Sequence, residues 1–394
     1  MTSELMANEQ MNLITLEWIK FKNMIKQLLT ITFLLGLSLF FKPLFAQNKQ
    51  KISLSIHQNP SWTKIGTNFF LYYELQLKNA GTDTIELKTL NILGKNKSYL
   101  NLNGPKLAER TKSSDQKNRN LIIPAGGSGL IYIELENQVL KAETIVNKLE
   151  FWIHHRTKNN TTAFSITELH PTVTKPTVLG KPLQAGLWTA IYDPAWVSGH
   201  RRVFYSEKGK QFLPGRFAID FIRVDSVGKY ASKNIDSIQN WFGYQNAIIA
   251  VADGTVSSVL NDFKESATVS QHKSPAPEQA SGNYISMKIA NGQYAFYEHL
   301  KPNSIRVKPG DKVKKGDIIA QLGFTGQSTG PHLHFHLANR DNRLYAEGLP
   351  YVFENFFQAG RYSNLDNFGN SPWQYKEPLK VRQGRPLSNS VIEF

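Results

Sequence analysis

The sequence contains no cysteine among its 394 residues. Disulfide bonds and attachment of a lipid to an N-terminal cysteine are therefore excluded. The folded chain has to be stabilised by packing and polar contacts alone. A protein without thiols is compatible with export, because an oxidising compartment cannot cross-link it through disulfides.

Acidic residues are scarce relative to basic ones. The chain has 46 Lys and Arg against 31 Asp and Glu, which gives a formal net charge of +15. This balance favours anionic partners such as cell-wall polymer, a membrane surface or nucleic acid. The sequence has no long Lys/Arg tract and no recognisable nucleic-acid-binding module, so we expect a wall or acidic surface and no nucleic acid.

Long hydrophobic runs are limited to one near the N-terminus. Residues 28–41 are apolar, three lysines shortly precede them, and Ala46 follows at a plausible cleavage point. This pattern is typical of a secretory signal peptide over residues 1–46, with Met24 as an alternative start. The run is short for a membrane span, so no stable span is expected after processing, although an uncleaved anchor is the alternative. We therefore expect a secreted, periplasmic or cell-envelope protein.

The rest of the chain is predicted to be all-β. Residues 51–56 and 72–78 alternate polar and apolar side chains, the period of a half-buried strand. Short strands separated by turn residues predict an immunoglobulin-like β-sandwich over residues 48–170. Three prolines then indicate a stiff linker over residues 171–182. We expect the sandwich to bind cell-wall polymer or a protein partner.

A second β-rich domain is predicted over residues 183–345, followed by a C-terminal extension over residues 346–394. Within this domain, residues 216–222 are predicted as one strand. Because side chains on a strand alternate faces, Arg216 and Asp220 would then share a face.

Only ten histidines occur in the chain, and three of them follow one another at alternate positions of Gly-Pro-His-Leu-His-Phe-His-Leu, residues 330–337. In a strand, His332, His334 and His336 would line one face while the apolar residues between them face a core. Same-face neighbours lie roughly 6–7 Å apart, so imidazoles in such a row can converge on a metal ion.

The second domain contains six motifs in a fixed order: Arg216-to-Asp220, Ala252-Asp253-Gly254-Thr255-Val256, Phe296-Tyr297-Glu298-His299-Leu300, Val307-Lys308-Pro309-Gly310-Asp311, Lys315-Gly316-Asp317 and Thr325-Gly326-Gln327-Ser328-Thr329-Gly330-Pro331-His332-Leu333-His334-Phe335. In this order and spacing, over roughly residues 198–340, they resemble the lysostaphin-type (LytM-like) zinc metalloendopeptidases, with Arg216-to-Asp220 at the place of that family's His-x-Gly-x-Asp. The resemblance implies an antiparallel β-sheet peptidase domain that hydrolyses peptide cross-links of bacterial peptidoglycan with a zinc-activated water.

By matching position, the resemblance implies that Asp220 and His334 are zinc ligands. It implies that His299 and His332 are catalytic residues that orient the attacking water and stabilise the oxyanion. His336 stands where the family often has glutamate and receives no role from the resemblance.

The position of the family's first histidine ligand is occupied by Arg216, whose guanidinium cannot bind zinc. In one interpretation Arg216 pairs with Asp220, and the chain is a catalytically inactive peptidoglycan-binding or amidase-activating module. In the other, a neighbouring histidine replaces the missing ligand. We expect His200 to do so, since a hairpin between residues 200 and 216 would bring it alongside; His336 is a further candidate.

Overall fold

The computed structural model describes residues 52–57, 60–65, 68–113, 121–137, 143–173, 175–192, 199–208, 210–366 and 368–394. The predicted signal peptide lies outside the described residues. Lys51–Phe394 is one compact unit. Within the described part of the chain, no helix has the length and apolar character needed to cross a membrane.

The N-terminal module consists of ten described strands and one short helix, α1 (Gly104–Glu109). The strands are β1 (Ile52–Ile56), β2 (Thr63–Ile65), β3 (Asn68–Asn79), β4 (Thr84–Leu93), β5 (Ser98–Asn103), β6 (Thr111–Ser113), β7 (Ile122–Ile123), β8 (Ser128–Asn137), β9 (Ile145–His154) and β10 (Thr161–Leu169). One antiparallel sheet has the order β1-β3-β8-β6, with β2 on β3. The other has the order β10-β9-β4-β5, with β7 on β4.

Alternation of buried and less buried side chains explains these two sheets. Along β9 every second residue from Ile145 to Ile153 is buried. Leu75 of β3, Leu87 of β4 and Phe151 of β9 belong to one hydrophobic cluster to which both sheets contribute. The prediction of β-structure here is confirmed, whereas its immunoglobulin-like type stays a prediction.

The remaining strands form a second, larger assembly. They are β11 (Thr177–Leu179), β12 (Leu187–Ile191), β13 (Tyr205–Glu207), β14 (Lys210–Phe212), β15 (Ile219–Arg223), β16 (Ala247–Ile249), β17 (Gly254–Leu260), β18 (Asn283–Lys288), β19 (Tyr294–Leu300), β20 (Lys312–Val313), β21 (Ile318–Gln321), β22 (Leu333–Ala338), β23 (Tyr351–Arg361), β24 (Gln374–Gly384) and β25 (Ser390–Glu393). Short 3-10 helices lie at His200–Arg202, Pro214–Phe217, Ile238–Asn240, Pro277–Gln279 and Ala290–Gly292.

The large sheet has the order β11-β23-β25-β12-β15-β22-β19-β18-β17-β20, with β24 on β23. All of its pairs are antiparallel except β11 with β23. Two small sheets, β13-β14 and β16-β21, complete the assembly. The all-β class predicted from the sequence is thereby confirmed.

Strand β22 is the predicted histidine strand, and it lies in the middle of the large sheet. It pairs with β15 on one side, where Asp220 faces His334 in register. It pairs with β19 on the other, where Glu298 faces His334. The side chain of Phe335 points to the opposite face and is fully buried in the main hydrophobic cluster. The predicted division of this strand into a histidine face and an apolar face therefore holds.

The prediction of one strand over residues 216–222 is wrong at its beginning. Pro214–Phe217 forms a 3-10 helix, and β15 begins only at Ile219. Proline fixes φ near the helical value, and the glycine after it imposes no side-chain preference, so a turn is favoured over an extended chain. Arg216 and Asp220 consequently do not share one strand face.

The predicted linker and C-terminal extension both contribute to the large sheet. Strand β11 falls within residues 171–182 and pairs with β23. Residues 346–394 supply β23, β24 and β25. The functional division of the chain into domains stays a prediction.

Candidate metal and catalytic site

The carboxylate of Asp220 is the centre of a cluster of histidines. Nε2 of His200 donates to Asp220 Oδ2 at 2.8 Å. Nδ1 of His334 donates to Asp220 Oδ1 at 2.9 Å. Nε2 of His332 lies 3.5 Å from the same Oδ1. One carboxylate thus brings three imidazoles together.

The surrounding elements explain how these side chains meet. Asp220 and His334 are register partners on the adjacent strands β15 and β22. His200 comes from the 3-10 turn His200–Arg202, which is joined to the turn before β15 through the β13-β14 hairpin. Gly215 permits this approach, because a Cβ at that position would lie 2.9 Å from the Cβ of His200. The expected hairpin between residues 200 and 216 is present.

Three of these side chains could hold a metal ion. One ligand atom each from His200, Asp220 and His334 lies within 4.8 Å of the others. Two imidazole nitrogens and a carboxylate oxygen suit a borderline divalent metal, and three protein ligands leave a coordination position open. The three residues predicted as ligands are therefore the ones that the structure brings together.

The electrostatics of the cluster keep Asp220 ionised. Burial would raise the pKa of its carboxyl, but the charges of His200 and His332 outweigh burial and hold that pKa well below its ordinary value. Burial likewise would lower the pKa of His200, but the charge and hydrogen bond of Asp220 outweigh it and raise that pKa. An ionised carboxylate is the form that binds a metal.

His299 lies beside the cluster in an unusual backbone conformation. Its φ is +63°, in the left-handed region that residues with a side chain seldom adopt. Its Nδ1 donates to the carbonyl of Thr325 at 2.7 Å, which orients the ring. Burial, together with the charges of His332 and His334, holds the pKa of His299 well below its ordinary value. His299 is therefore neutral, with an unprotonated Nε2.

His332 has the opposite character. Its Nδ1 donates to the carbonyl of Gly330 at 2.8 Å. Burial would lower its pKa, but the charge of Asp220 and the bond to it outweigh burial and raise that pKa. The rings of His299 and His332 are 4.6 Å apart, centroid to centroid. One neutral and one more readily protonated imidazole thus stand side by side, as acid–base chemistry requires.

His336 lines the same cavity but is not among the three grouped donors. Its Nδ1 is 3.2 Å from Nε2 of His334, and its ring stacks on Phe296 at a centroid distance of 4.7 Å. Burial and the charges of His334 and His200 hold its pKa well below the ordinary value, so it is neutral. This placement favours His200 over His336 as the replacement donor.

Arg216 points away from this cluster. Its Nη2 donates to Glu74 Oε2 at 2.8 Å, and its Nη1 donates to Glu347 Oε2 at 3.2 Å. Arg216 therefore does not pair with Asp220, while the catalytically inactive interpretation of the chain stays a prediction. The carboxylate of Asp220 is left to the histidines.

The cluster opens into a cavity of about 290 Å³. Sequence reasoning missed several residues of its lining, of which Glu298 lies nearest in the chain to a predicted catalytic residue. On a regular strand Glu298 and His299 would point to opposite faces. The positive φ of His299 breaks this alternation, and both residues line the cavity. Local sequence carried no signal for that break. Further lining residues are Tyr205, Ser281, Thr329 and Arg343.

Part of the chain is similar to known peptidases. Residues 238–345 match the profile of Peptidase family M23. The chain is similar to peptidoglycan DD-endopeptidase ShyC of Vibrio cholerae, with 44% identity over 57 residues, 14% of this chain and 13% of the relative. It is also similar to glycyl-glycine endopeptidase ALE-1 of Staphylococcus capitis, with 33% identity over 114 residues, 28% of this chain and 31% of the relative. The chain thus spans less than a third of these curated relatives.

A solved structure with a similar region is the catalytic domain of the antimicrobial peptidase lysostaphin from Staphylococcus simulans. The match has 21% sequence identity and a TM-score of 0.23, and it covers 42% of this chain and 88% of that chain.

Proposed function

Because residues 238–345 form a domain of peptidase family M23 of the lysostaphin (LytM-like) type, we propose that the protein is an exported zinc metalloendopeptidase that hydrolyses peptide cross-links of bacterial peptidoglycan. One observation carries the proposal: His200, Asp220 and His334 converge in the same cavity as His299 and His332. Two relatives are named as endopeptidases of peptidoglycan or of glycyl-glycine bonds, which supports this substrate class.

The three converging residues are the proposed zinc ligands, through Nε2 of His200, the carboxylate of Asp220 and Nδ1 of His334. When bound, zinc supplies a water with a pKa near neutral and polarises the scissile carbonyl. The chain's own contribution is to present Asp220 as a carboxylate and to hold the two imidazoles against it.

His299 and His332 are the proposed catalytic residues. Because His299 is neutral and its Nδ1 is bound to Thr325, its Nε2 is available to accept a proton from the attacking water. His332 donates a hydrogen bond from Nδ1 to the carbonyl of Gly330, so its Nε2 faces the cluster. In its protonated form, that Nε2 can donate a hydrogen bond to the oxygen on which negative charge develops.

The proposal predicts that Asp220→Asn loses both zinc and activity. An amide is a much poorer zinc ligand than a carboxylate, and loss of a mere outer partner of a ligand already costs about 10–100-fold in affinity or activity. We expect more than about 100-fold slower cleavage of cross-linked muropeptides, measured by chromatography, together with a loss of the single zinc per chain, measured by mass spectrometry.

The exposed carboxylate Asp253, which forms a salt bridge with Lys314, supplies the matched control. Asp253→Asn should retain both zinc and cleavage. Parental protein that binds no zinc, cleaves no muropeptide and still binds peptidoglycan would establish the inactive binding or amidase-activating module instead.

A second prediction concerns His336 as a positioning residue. If Nδ1 of His334 binds zinc, its Nε2 carries the proton and donates to His336 Nδ1, 3.2 Å away. His336→Leu removes this acceptor and should weaken zinc binding by about 10–100-fold, measured by competition with a chelator. His336→Gln, which keeps an acceptor, should lie closer to the parental protein; equal affinity in all three proteins would contradict the assignment.

A further inference from the structure

The turn that carries His200 is fixed to the N-terminal module by the residue that follows it. Arg201 is 3% exposed. Its Nε donates to Glu74 Oε1 at 3.0 Å, and its Nη2 donates to the carbonyls of Tyr73 and Ile133 at 2.8 and 2.6 Å. Arg201 is thus bonded to the adjacent strands β3 and β8 immediately after the proposed ligand.

The next residue of the same turn makes a second attachment. Nη2 of Arg202 donates to the carbonyl of Glu109 at 2.9 Å, at the end of α1. Its guanidinium lies 4.3 Å from the ring centroid of Tyr132, a cation–π distance. Both arginines of the turn are buried. The turn that carries His200 is therefore attached to the N-terminal module through Arg201 and Arg202.

Glu74 joins this turn to the one that leads into the Asp220 strand. While its Oε1 accepts from Arg201, its Oε2 accepts from Arg216 at 2.8 Å. Arg216 belongs to the 3-10 helix Pro214–Phe217, which precedes β15. The two turns are also in direct contact at Gly215. One carboxylate thus bonds both the turn that carries His200 and the turn that precedes the Asp220 strand.

The contacts of the His200 side chain are with Gly215 and with other residues of the proposed site, and its ring lies edge-on to that of His334 at a centroid distance of 4.5 Å. The side chain of His200 is 34% exposed, and its hydrogen bond goes to Asp220, the residue with which it would share the metal. Glu74, in contrast, is 1% exposed. Burial would raise the pKa of Glu74, but the charges of Arg216 and Arg201 outweigh burial and lower it, so the carboxylate is ionised. The ion pairs of Glu74 are therefore much more buried than the side chain of His200.

We propose that Glu74 is a positioning residue for His200, so that the N-terminal module is the scaffold of one metal ligand of the peptidase site. This inference rests on the proposed function, since it assumes that His200 binds zinc. It explains how a ligand outside the family's usual motif position can be held accurately. Arg216, which occupies that motif position, takes part as the second partner of Glu74.

The test compares zinc affinities of full-length variants at a temperature at which each is folded. Glu74→Gln removes the charge that pairs with both turns, while Arg201→Met removes the bonds of the His200 turn to β3 and β8 and leaves the pair of Glu74 with Arg216. We expect each to weaken zinc binding by about 10–100-fold in chelator competition, the range for residues that orient ligands. The d–d spectrum of the cobalt(II)-loaded variants should shift toward that of His200→Ala.

Leu149→Ala is the control for general destabilisation. Leu149 is fully buried in the N-terminal hydrophobic cluster on β9, in the sheet that does not contain Glu74. Removing a buried leucine side chain destabilises a fold to an extent comparable with breaking a buried ion pair. Zinc affinity and the cobalt spectrum should be unchanged in this variant.

A double-mutant cycle separates positioning from a structural role. If Glu74 acts through His200, Glu74→Gln should have no further effect on the weak zinc binding that remains in a His200→Ala background. The inference is overturned if Glu74→Gln and Arg201→Met keep the parental affinity, or if the effect of Glu74→Gln persists without His200. Parental protein without zinc would overturn the proposed function itself, which is a distinguishable result.

Discussion

His200→Ala is expected to weaken zinc binding so that the purified protein loses its zinc, and to slow muropeptide cleavage by more than about 100-fold, because even an outer partner of a ligand contributes about 10–100-fold. The imidazole of His200 is one of three donors whose ligand atoms lie within 4.8 Å of one another. With alanine at position 200, only Asp220 and His334 of the three proposed ligands remain, and catalytic zinc sites use three protein ligands. Zinc content by mass spectrometry and cleavage by chromatography check the result.

His154→Ala is the matched control for this variant. His154 is a half-buried histidine at the end of β9, where its Nε2 is 2.9 Å from Glu86 Oε2. His154→Ala also removes an imidazole that contacts a carboxylate, but this pair lies outside the cavity. If His200→Ala retained one zinc per chain and parental cleavage, His200 would be a surface turn residue and the ligand set would be wrong.

Phe335→Ala is expected to lower the free energy of unfolding by about 3–5 kcal/mol, the usual cost of removing a fully buried phenylalanine ring. Phe335 lies between His334 and His336 on β22, with its side chain on the opposite face of the sheet. Its ring packs against Tyr297 and Tyr351 at centroid distances of 5.2 and 5.3 Å. Denaturant unfolding of metal-free protein measures this loss without a contribution from zinc binding.

Phe164→Ala makes the same chemical change on the surface, since Phe164 is 45% exposed. It should stay within about 0.5 kcal/mol of the parental protein, as is usual for surface substitutions. Equal losses in the two variants would show that the face of β22 opposite the histidines is not a tightly packed core.

The alternation of polar and apolar residues was sufficient to predict individual strands. Alternating polarity predicted strands β3 and β22, and the apolar face of β22 packs as expected. The all-β class and the family resemblance are confirmed. The expected roles of the site residues stay predictions, although the structure brings His200, Asp220 and His334 together.

Other features depend on contacts that no local pattern contains. Residues 216–222 have the composition of a strand, but the preceding proline and glycine begin a turn that includes Arg216. The partners of Arg216 are 142 and 131 positions away in the sequence, at Glu74 and Glu347. Because the sequence does not reveal these two distant partners, it could not exclude a pair of Arg216 with Asp220. The convergence of Glu298 and His299 on one cavity needs a backbone angle that the motif does not reveal.

The contacts of Glu74 also bear on the order in which the molecule assembles. They join β3 to turns 127 and 142 residues later, while Glu347 binds the same Arg216 across 131 residues. Contacts of such long sequence separation close large loops, and the entropy of closing a loop opposes their formation. On the proposed function, a chain in which β15 and β22 have paired but Glu74 has not yet bound Arg201 and Arg216 still lacks the scaffold of one zinc ligand. Capture of zinc would report the completion of the whole chain's fold, not the formation of its sheets.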